Sequence, residues 1–223
     1  MSKTLRVVVP PHPLIGHWLT LLRDCETPPA LFSTALAELG RWLTYEALRD
    51  WIPYQRVQVQ TPLAATEATV VDGSVPMLAV PLLPAGLGLW EGARSVVPSA
   101  ALAPLALQPS PASPERLCTF NGLPGSIPAK AGVLVFAPLV ATGASLIRVL
   151  ELLEALGVTG VRVRVITALV ASPGLKQLGE RYPELTLYSG CIDAELNAQG
   201  QILPGLGDAD QRFSGLGASA FVG

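Results

Sequence analysis

A buried strand and an amphipathic helix follow each other in the second half of the chain, and this succession constrains the fold more than any other feature. Gly132–Phe136 (GVLVF) is a continuous apolar run rich in β-branched residues, which is typical of a strand covered on both faces. Apolar residues then recur at helical spacing through residues 145–156. Because strands buried on both faces occur in parallel sheets with helices on each side, this succession predicts an α/β fold.

The same alternation extends along much of the chain. A length of 223 residues suits one domain of this kind, so we predict a single domain over residues 1–223 with a doubly wound, mainly parallel sheet. Alternating apolar and polar residues around Val57 and Val59 predict a β-hairpin within residues 54–74. The other predicted strands are residues 77–82, 101–107, 133–136, 161–168 and 185–189, and the predicted helices are residues 27–50, 87–96, 145–156 and 173–182.

The turn between the central strand and its helix has the composition of an anion-binding loop, with Ala141, Thr142, Gly143, Ala144 and Ser145. At such a turn the free N–H groups of the first helical turn and the positive end of the helix dipole can bind a phosphate. The hydroxyl groups add donors, and the small residues let the backbone approach closely. The alternative is an ordinary strand-to-helix turn with Thr or Ser as the N-cap, and this segment alone does not decide between the two.

Composition restricts the partners. The chain has 15 basic and 17 acidic residues and a net charge of −2, without a basic cluster, so nucleic acid is not an expected partner. Charged residues make up only 14% and the mean hydropathy is +0.44, so we expect part of the surface to be an interface.

The apolar runs, the cysteines and the N-terminus indicate where in the cell the protein is located. Residues 73–90 and 131–147 are uncharged, but prolines and glycines at turn positions favour buried strands with loops over a transmembrane helix. Cys25, Cys118 and Cys191 are far apart and lack metal-ligand spacing, which favours reduced thiols. The N-terminus lacks the pattern of a secretory signal, and we expect a cytoplasmic protein.

Several short motifs together resemble one family. In order and approximate spacing the chain resembles uracil phosphoribosyltransferases at His12-Pro13-Leu14 with Arg23, Leu43-Thr44-Tyr45-Glu46-Ala47, Ala85-Gly86-Leu87-Gly88, Ala141-Thr142-Gly143, and Ile192-Asp193 leading to Leu203-Pro204-Gly205-Leu206-Gly207-Asp208-Ala209. The resemblance implies the type I phosphoribosyltransferase fold, with an N-terminal arm at residues 1–30 and a C-terminal hood at residues 186–223. It also implies the reaction of uracil with phosphoribosyl pyrophosphate to UMP and pyrophosphate in the presence of magnesium, and, with the apolar composition, at least a homodimer.

The resemblance also implies roles for individual residues. Residues 141–145 would bind the 5′-phosphate, and Asp208 would lie near the pyrophosphate and the metal. The uracil hood would comprise Tyr188, Ile192, Asp193, Ile202, Gly205 and Gly207.

Two departures from the family pattern concern charged groups. Ala137 stands where the family has an aspartate, and Pro84 stands where it has an arginine. In the interval 105–118, where the family has an arginine and acidic residues on a mobile loop, the only basic residue is Arg116. An oxocarbenium-like transition state needs ordered ribose hydroxyls and a neutralised leaving group. Because the side chains at positions 137 and 84 cannot supply these interactions, we assign no catalytic residue from the sequence.

We therefore expect a homologue in which catalysis is lost or weak and which acts as a nucleotide-binding, phosphate-binding or regulatory protein. Its ligand would be uracil, UMP or another phosphorylated ribose, and magnesium would be needed only if the protein is active. The alternatives are an active uracil phosphoribosyltransferase and a structural subunit of a larger assembly with a heterologous protein partner.

Overall fold

The computed structural model describes residues 4–110 and 113–215. The strands are β1 (Arg6–Val8), β2 (Tyr54–Gln60), β3 (Ala65–Val71), β4 (Met77–Pro81), β5 (Ala101–Leu102), β6 (Leu105–Ser110), β7 (Ser113–Asn121), β8 (Gly132–Phe136), β9 (Leu139–Val140), β10 (Val163–Ala171), β11 (Thr186–Asp193), β12 (Glu195–Leu196) and β13 (Ile202–Leu203). The α-helices are α1 (Pro13–Arg23), α2 (Pro29–Leu48), α3 (Gly86–Ala93), α4 (Ala144–Glu154), α5 (Ser172–Arg181) and α6 (Ala209–Ser214).

A seven-stranded parallel sheet organises the molecule. Its strand order is β1-β11-β10-β8-β4-β5, and β9 pairs with the end of β10. Strand β8 lies in the middle, and all five of its residues are buried, as its apolar run predicts. The central parallel sheet with helices on both faces agrees with the predicted fold class.

Two hydrophobic cores cover the two faces of the sheet. Leu134 and Phe136 of β8 belong to the core beneath α1, α2 and α3, whereas Val133 and Val135 belong to the core beneath α4 and α5. This division follows from the period of two along a strand, which sends successive side chains to opposite faces. Both faces of β8 are therefore apolar, and the loop after it is held rigidly at one edge of the sheet.

The segment predicted as an N-terminal arm is part of the folded core. Strand β1 pairs in parallel with β11, from Arg6 opposite Thr186 to Val8 opposite Tyr188. Helix α1 buries Ile15, Leu19 and Leu22 against the core on its side of the sheet. The strand is only three residues long, which explains why the sequence pattern did not indicate it.

The predicted strand 101–107 is wrong as a single element. It divides into β5, which joins the central sheet, and β6, which pairs with β7 in a separate antiparallel arm. Pro109 is tolerated in this arm because a two-stranded ribbon has free edges on both sides, where a missing N–H breaks no ladder. The predicted hairpin forms as β2 and β3, and almost all of its residues are exposed.

Among residues 4–110 and 113–215, none of the helices has the length and apolar character needed to cross a membrane.

Candidate active site

The loops that follow β4 and β8 meet at the carboxyl edge of the sheet. The N–H of Leu82, directly after β4, donates to the carbonyl of Phe136 at 2.9 Å, and Ala137 donates to the carbonyl of Ile166 at 3.0 Å. Two adjoining cavities open beside these loops and share Leu82, Leu139 and Ser145 in their walls. This is the position at which open α/β sheets bind their ligands.

The first cavity, which we call the phosphate-loop cavity, has a volume of about 140 Å³ and contains the predicted anion-binding turn. Gly143, just before α4, has φ +87°, a conformation that favours glycine. The hydroxyl of Thr142 accepts a hydrogen bond from the N–H of Ala144 at 3.4 Å. The N–H groups of Ser145 and Leu146 have no carbonyl one turn back within the helix, so they are available to an anion.

Arg116 of β7 also lines the phosphate-loop cavity, together with Ala137 and residues 141–146. In the sequence it stands alone in a proline-rich interval, and only the pairing of β6 with β7 brings it over the helix α4 side of the sheet. A positively charged residue therefore lines a cavity in which Ala137 stands at the position that the resemblance assigns to a carboxylate.

The second cavity, which we call the Asp208 cavity, has a volume of about 150 Å³ and is lined by Leu83, Asp208, Asp210 and the residues shared with the first cavity. Asp208 is the N-cap of α6, and its Oδ1 accepts from the N–H groups of Asp210 at 2.9 Å and Gln211 at 3.0 Å. Helix α6 thus holds this carboxylate beside the loop after β4.

Asp210 is a site residue that the sequence analysis missed. Its Oδ1 accepts a hydrogen bond from the N–H of Ala85 at 3.1 Å and so joins α6 to the loop after β4. Loss of hydration at the carboxyl group, and then the neighbouring charge of Asp208, raise its pKa in spite of that hydrogen bond. An acidic residue in the first turn of a helix is the only signal in the sequence, and it is common at helix N-termini.

The hood is built on an ion pair between Arg23 and Asp193. Arg23 donates to both carboxylate oxygens, at 2.6 and 2.9 Å, and also to the carbonyl of Gly205 at 2.9 Å. The N–H of Gly205 donates to Asp193 at 3.0 Å. Burial alone would raise the pKa of Asp193, but the hydrogen bonds from Arg23 and Gly205 outweigh it and lower the pKa. The Asp193 side chain is therefore committed to fixing the Gly205 turn.

The remaining predicted hood residues lie at different depths. Tyr188 lies within β11, is only 2% exposed and belongs to the core on the α1 and α2 side, several residues before the hood. Ile192, at the end of β11, is partly exposed, and Ile202 is buried at the start of β13. Gly207 is exposed and has φ +76°. The contact of these residues with a nucleobase stays a prediction.

Pro84 lies in the loop after β4, exposed, and follows Leu83 through a cis peptide bond. Its carbonyl accepts from the N–H of Leu87 in the first turn of α3. Proline at this position supplies neither a charge nor an N–H to the site.

The Asp208 cavity suits the magnesium ion that the resemblance implies. Mg²⁺ is commonly held by one or two carboxylates together with substrate phosphates and water, and Asp208 and Asp210 both face this cavity. Over the described ranges 4–110 and 113–215, no group of three or more His, Cys, Asp or Glu residues is placed to hold a metal by itself. The residues present therefore suit a cation that binds together with phosphates.

Comparison with known proteins identifies the family of this chain. The sequence model of the uracil phosphoribosyltransferase family matches residues 9–215. Proteins named uracil phosphoribosyltransferase from Synechococcus elongatus and a Nostoc species are 49% and 46% identical over 96% of this chain and 99–100% of their own length. A solved structure of a protein from Aquifex aeolicus is 31% identical, with a TM-score of 0.83 over 93% of this chain and 97% of that one.

These comparisons correct one expectation. The hypothesis that catalysis is lost or weak, and that the protein is a regulatory binding protein instead, is wrong, because nearly full-length relatives at 46–49% identity are named as the enzyme. That hypothesis rested on Ala137 and Pro84. Both positions lack the charged group that the resemblance predicts. The sequence did not show that Arg116, from the separate strand β7, lines the phosphate-loop cavity as well.

The predicted type I phosphoribosyltransferase fold is confirmed. The turn predicted to bind phosphate lies at the N-terminus of α4, and Asp208 lies at the start of α6. The match extends from α1 through every strand of the central sheet after β1 to the last described helix. With the identity to full-length relatives, it shows that this chain belongs to the uracil phosphoribosyltransferase family.

Proposed function

We propose that this protein is an active uracil phosphoribosyltransferase. In the reaction, N1 of uracil forms a bond to the anomeric carbon of phosphoribosyl pyrophosphate as the bond from that carbon to the pyrophosphate oxygen breaks. The proton on N1 is released, and the products are UMP and pyrophosphate. No redox step or additional group donor is needed.

One observation carries this proposal: the N-terminus of α4 and the side chain of Arg116 line the same cavity. The helix end suits the 5′-phosphate, and the guanidinium suits charge that develops on the departing pyrophosphate. The names of relatives that match almost the whole chain support the same activity.

The other parts of the site have roles in this proposal. The Gly205 turn, fixed by Asp193 and Arg23, would present backbone groups to uracil. Asp208 and Asp210 would hold a magnesium ion that neutralises charge on the pyrophosphate of the substrate. Asp210 also holds the N–H of Ala85, so it keeps the loop after β4 in one position.

The direct test is the synthesis of UMP. The purified protein, produced in a host without its own uracil phosphoribosyltransferase, is incubated with labelled uracil, phosphoribosyl pyrophosphate and Mg²⁺. We expect UMP and pyrophosphate in equal amounts over many turnovers. The matched control is Gly143→Val, which puts a branched side chain into the phosphate loop and should abolish product. Wild-type protein that forms no more UMP than this variant would refute the proposal.

We also propose that the protein works in the cytoplasm as a homodimer or larger oligomer. All three cysteines are free thiols, as a reducing compartment requires. The hairpin of β2 and β3 leaves Tyr54, Leu63 and Val71 exposed by 67%, 96% and 58%, which suits a surface that packs against another copy. A native mass of one chain, 23.4 kDa, would refute the assembly without affecting the proposed reaction.

A further inference from the structure

Arg212, in helix α6, bonds to backbone carbonyls from two distant parts of the chain. Its guanidinium donates to the carbonyls of Leu22 and Asp24, at the end of α1, and to the carbonyl of Leu206, at 2.8 Å, in the Gly205 turn (residues 205–207). The central carbon of the guanidinium also lies 4.5 Å from the centre of the Phe32 ring in α2. One side chain therefore connects the end of α1, the start of α2 and the Gly205 turn.

The acceptors of Arg212 show what this side chain does. All three are neutral backbone groups, so these hydrogen bonds fix the position of the backbone rather than neutralise a carboxylate. Because the donors of a guanidinium form a rigid planar fork, they also fix how the carbonyls are oriented relative to one another. Partial burial of Arg212 makes these protein acceptors the substitute for lost water.

The contact with Leu206 orients one peptide group of the Gly205 turn. In a trans peptide the carbonyl and the following N–H point in opposite directions. Since the carbonyl of Leu206 points to Arg212, the N–H of Gly207 points away from it. The carbonyl one residue earlier, that of Gly205, accepts from Arg23 at 2.9 Å. Two successive carbonyls of the turn are thus each held by an arginine.

Helix α6 has further contacts that do not involve Arg212. The carboxylate of Asp210 accepts from the N–H of Ala85 at 3.1 Å. The ring of Phe213 packs so closely on α3 that a Cβ at Gly88 would lie 2.8 Å from it. These contacts hold α6 against the loop after β4 and against α3. We therefore expect the loss of the Arg212 side chain to release the Gly205 turn rather than the whole helix.

We infer that Arg212 is a positioning residue for the nucleobase, because it fixes the peptide between Leu206 and Gly207 in the orientation that the Gly205 turn presents to uracil. This inference rests on the proposed function, in which that turn faces uracil. The phosphate-loop cavity is built from Arg116 and the loop before α4. Binding of the 5′-phosphate should therefore not depend on Arg212, whereas binding of the base should.

The test compares two ligands that share a 5′-phosphate. The full chain is titrated calorimetrically with UMP and with ribose 5-phosphate, which lacks the base. We expect the wild-type protein to bind UMP more tightly. In Arg212→Gln the affinity for UMP should fall by about 10-fold, the order of one lost hydrogen bond to the base, while the affinity for ribose 5-phosphate changes less than about twofold.

The matched control is Arg162→Gln. Arg162 likewise donates to three backbone carbonyls, those of Pro128, Ala131 and Gly157, but it lies before β10 at the opposite, amino edge of the sheet. Both substitutions leave carbonyls without their donor, so we expect both to lower the melting temperature. Only Arg212→Gln should separate the affinities for the two ligands, which a loss of stability alone does not do.

Three results would overturn the inference: wild-type protein that binds UMP no more tightly than ribose 5-phosphate, an equal loss for both ligands in Arg212→Gln, or the same selective loss in Arg162→Gln. If Arg212→Gln fails to fold, Arg212→Lys replaces it. Lysine keeps the charge but lacks the planar fork, so the selective loss for UMP should persist and an equal loss for both ligands would contradict the inference. The titrations need no turnover, so they decide the role of Arg212 whatever the assay of UMP synthesis gives.

Discussion

The guanidinium group of Arg23 donates hydrogen bonds of 2.6 and 2.9 Å to the carboxylate of Asp193, which lies 170 positions further along the chain. This pair connects the end of α1 to the end of β11 and, through Gly205, to the turn after β13. The Asp193 side chain is only 5% exposed, so its carboxylate depends on these protein partners for its hydrogen bonds. The pair therefore holds the proposed hood in place.

Substitution Arg23→Ala should destabilise the protein strongly. It leaves Asp193 buried without its partner, and breaking a buried pair from one side typically costs about 3–5 kcal/mol. Urea unfolding measures the change. In Arg6→Ala, which breaks the half-exposed pair with Asp50, the loss should stay below about 1 kcal/mol. Equal losses of unfolding free energy in the two variants would show that the buried Arg23–Asp193 pair stabilises the fold no more than an exposed pair does.

The same pair predicts a pH dependence of stability. Because the folded protein lowers the pKa of Asp193 below its ordinary value of 3.8, its contribution is complete above that value and is lost as the pH falls through the lowered pKa. We expect the free energy of unfolding to drop as the pH falls below about 4, and this drop should be smaller in Asp193→Asn. Chemical unfolding across this range measures both slopes. An unchanged slope in the variant would assign the acid sensitivity to other carboxylates.

Substitution Gly143→Ala should weaken phosphate binding as well as stability. At φ +87° an alanine is strained by about 1–2 kcal/mol, and its Cβ would lie 3.3 Å from the carbonyl oxygen of Gly174. We expect a lower melting temperature and a raised KM for phosphoribosyl pyrophosphate. Gly157→Ala is the control, since Gly157 has φ +75° but lies after α4 with nothing within 4 Å of the added Cβ. It should lower the melting temperature without changing the KM, and a similar KM shift in both variants would contradict the prediction.

Substitution Arg116→Gln should slow UMP formation by about 100-fold while the melting temperature stays near that of the wild type. Loss of one donor aimed at developing charge has an effect of this order. Arg116→Lys keeps the charge and should recover part of the rate. Steady-state kinetics with both substrates measure kcat and KM separately. Full activity of Arg116→Gln would show that another group neutralises the pyrophosphate.

Much of the fold could be predicted from the sequence. The apolar run of β8 and the helical periodicity after it predict a parallel sheet, and the turn between them is found at the N-terminus of α4 with Gly143 in a left-handed conformation. The short β1 could not be predicted, because a strand of three residues carries no periodicity and forms only when β11 is beside it.

The site was predicted less completely. Asp208 and the phosphate loop belong to continuous motifs, and both line the cavities at the carboxyl edge of the sheet. Asp210 was not predicted there, because the pattern around it is that of an ordinary helix start. Arg116 was recognised only as the one basic residue of a proline-rich interval, and its place in the cavity could not be predicted. Their positions depend on how α6 and β7 pack against loops distant in the sequence.

The sequence by itself determined most of the strands and helices and the turn before α4, because these depend on residue spacing and backbone conformation within a few positions. It also determined the family, through motifs that keep their order. Only the tertiary structure decided which charges meet: Arg23 with Asp193, Asp210 with the N–H of Ala85, and Arg116 with the phosphate loop. Such contacts depend on the packing of elements that are far apart along the chain, and local patterns carry no information about that packing.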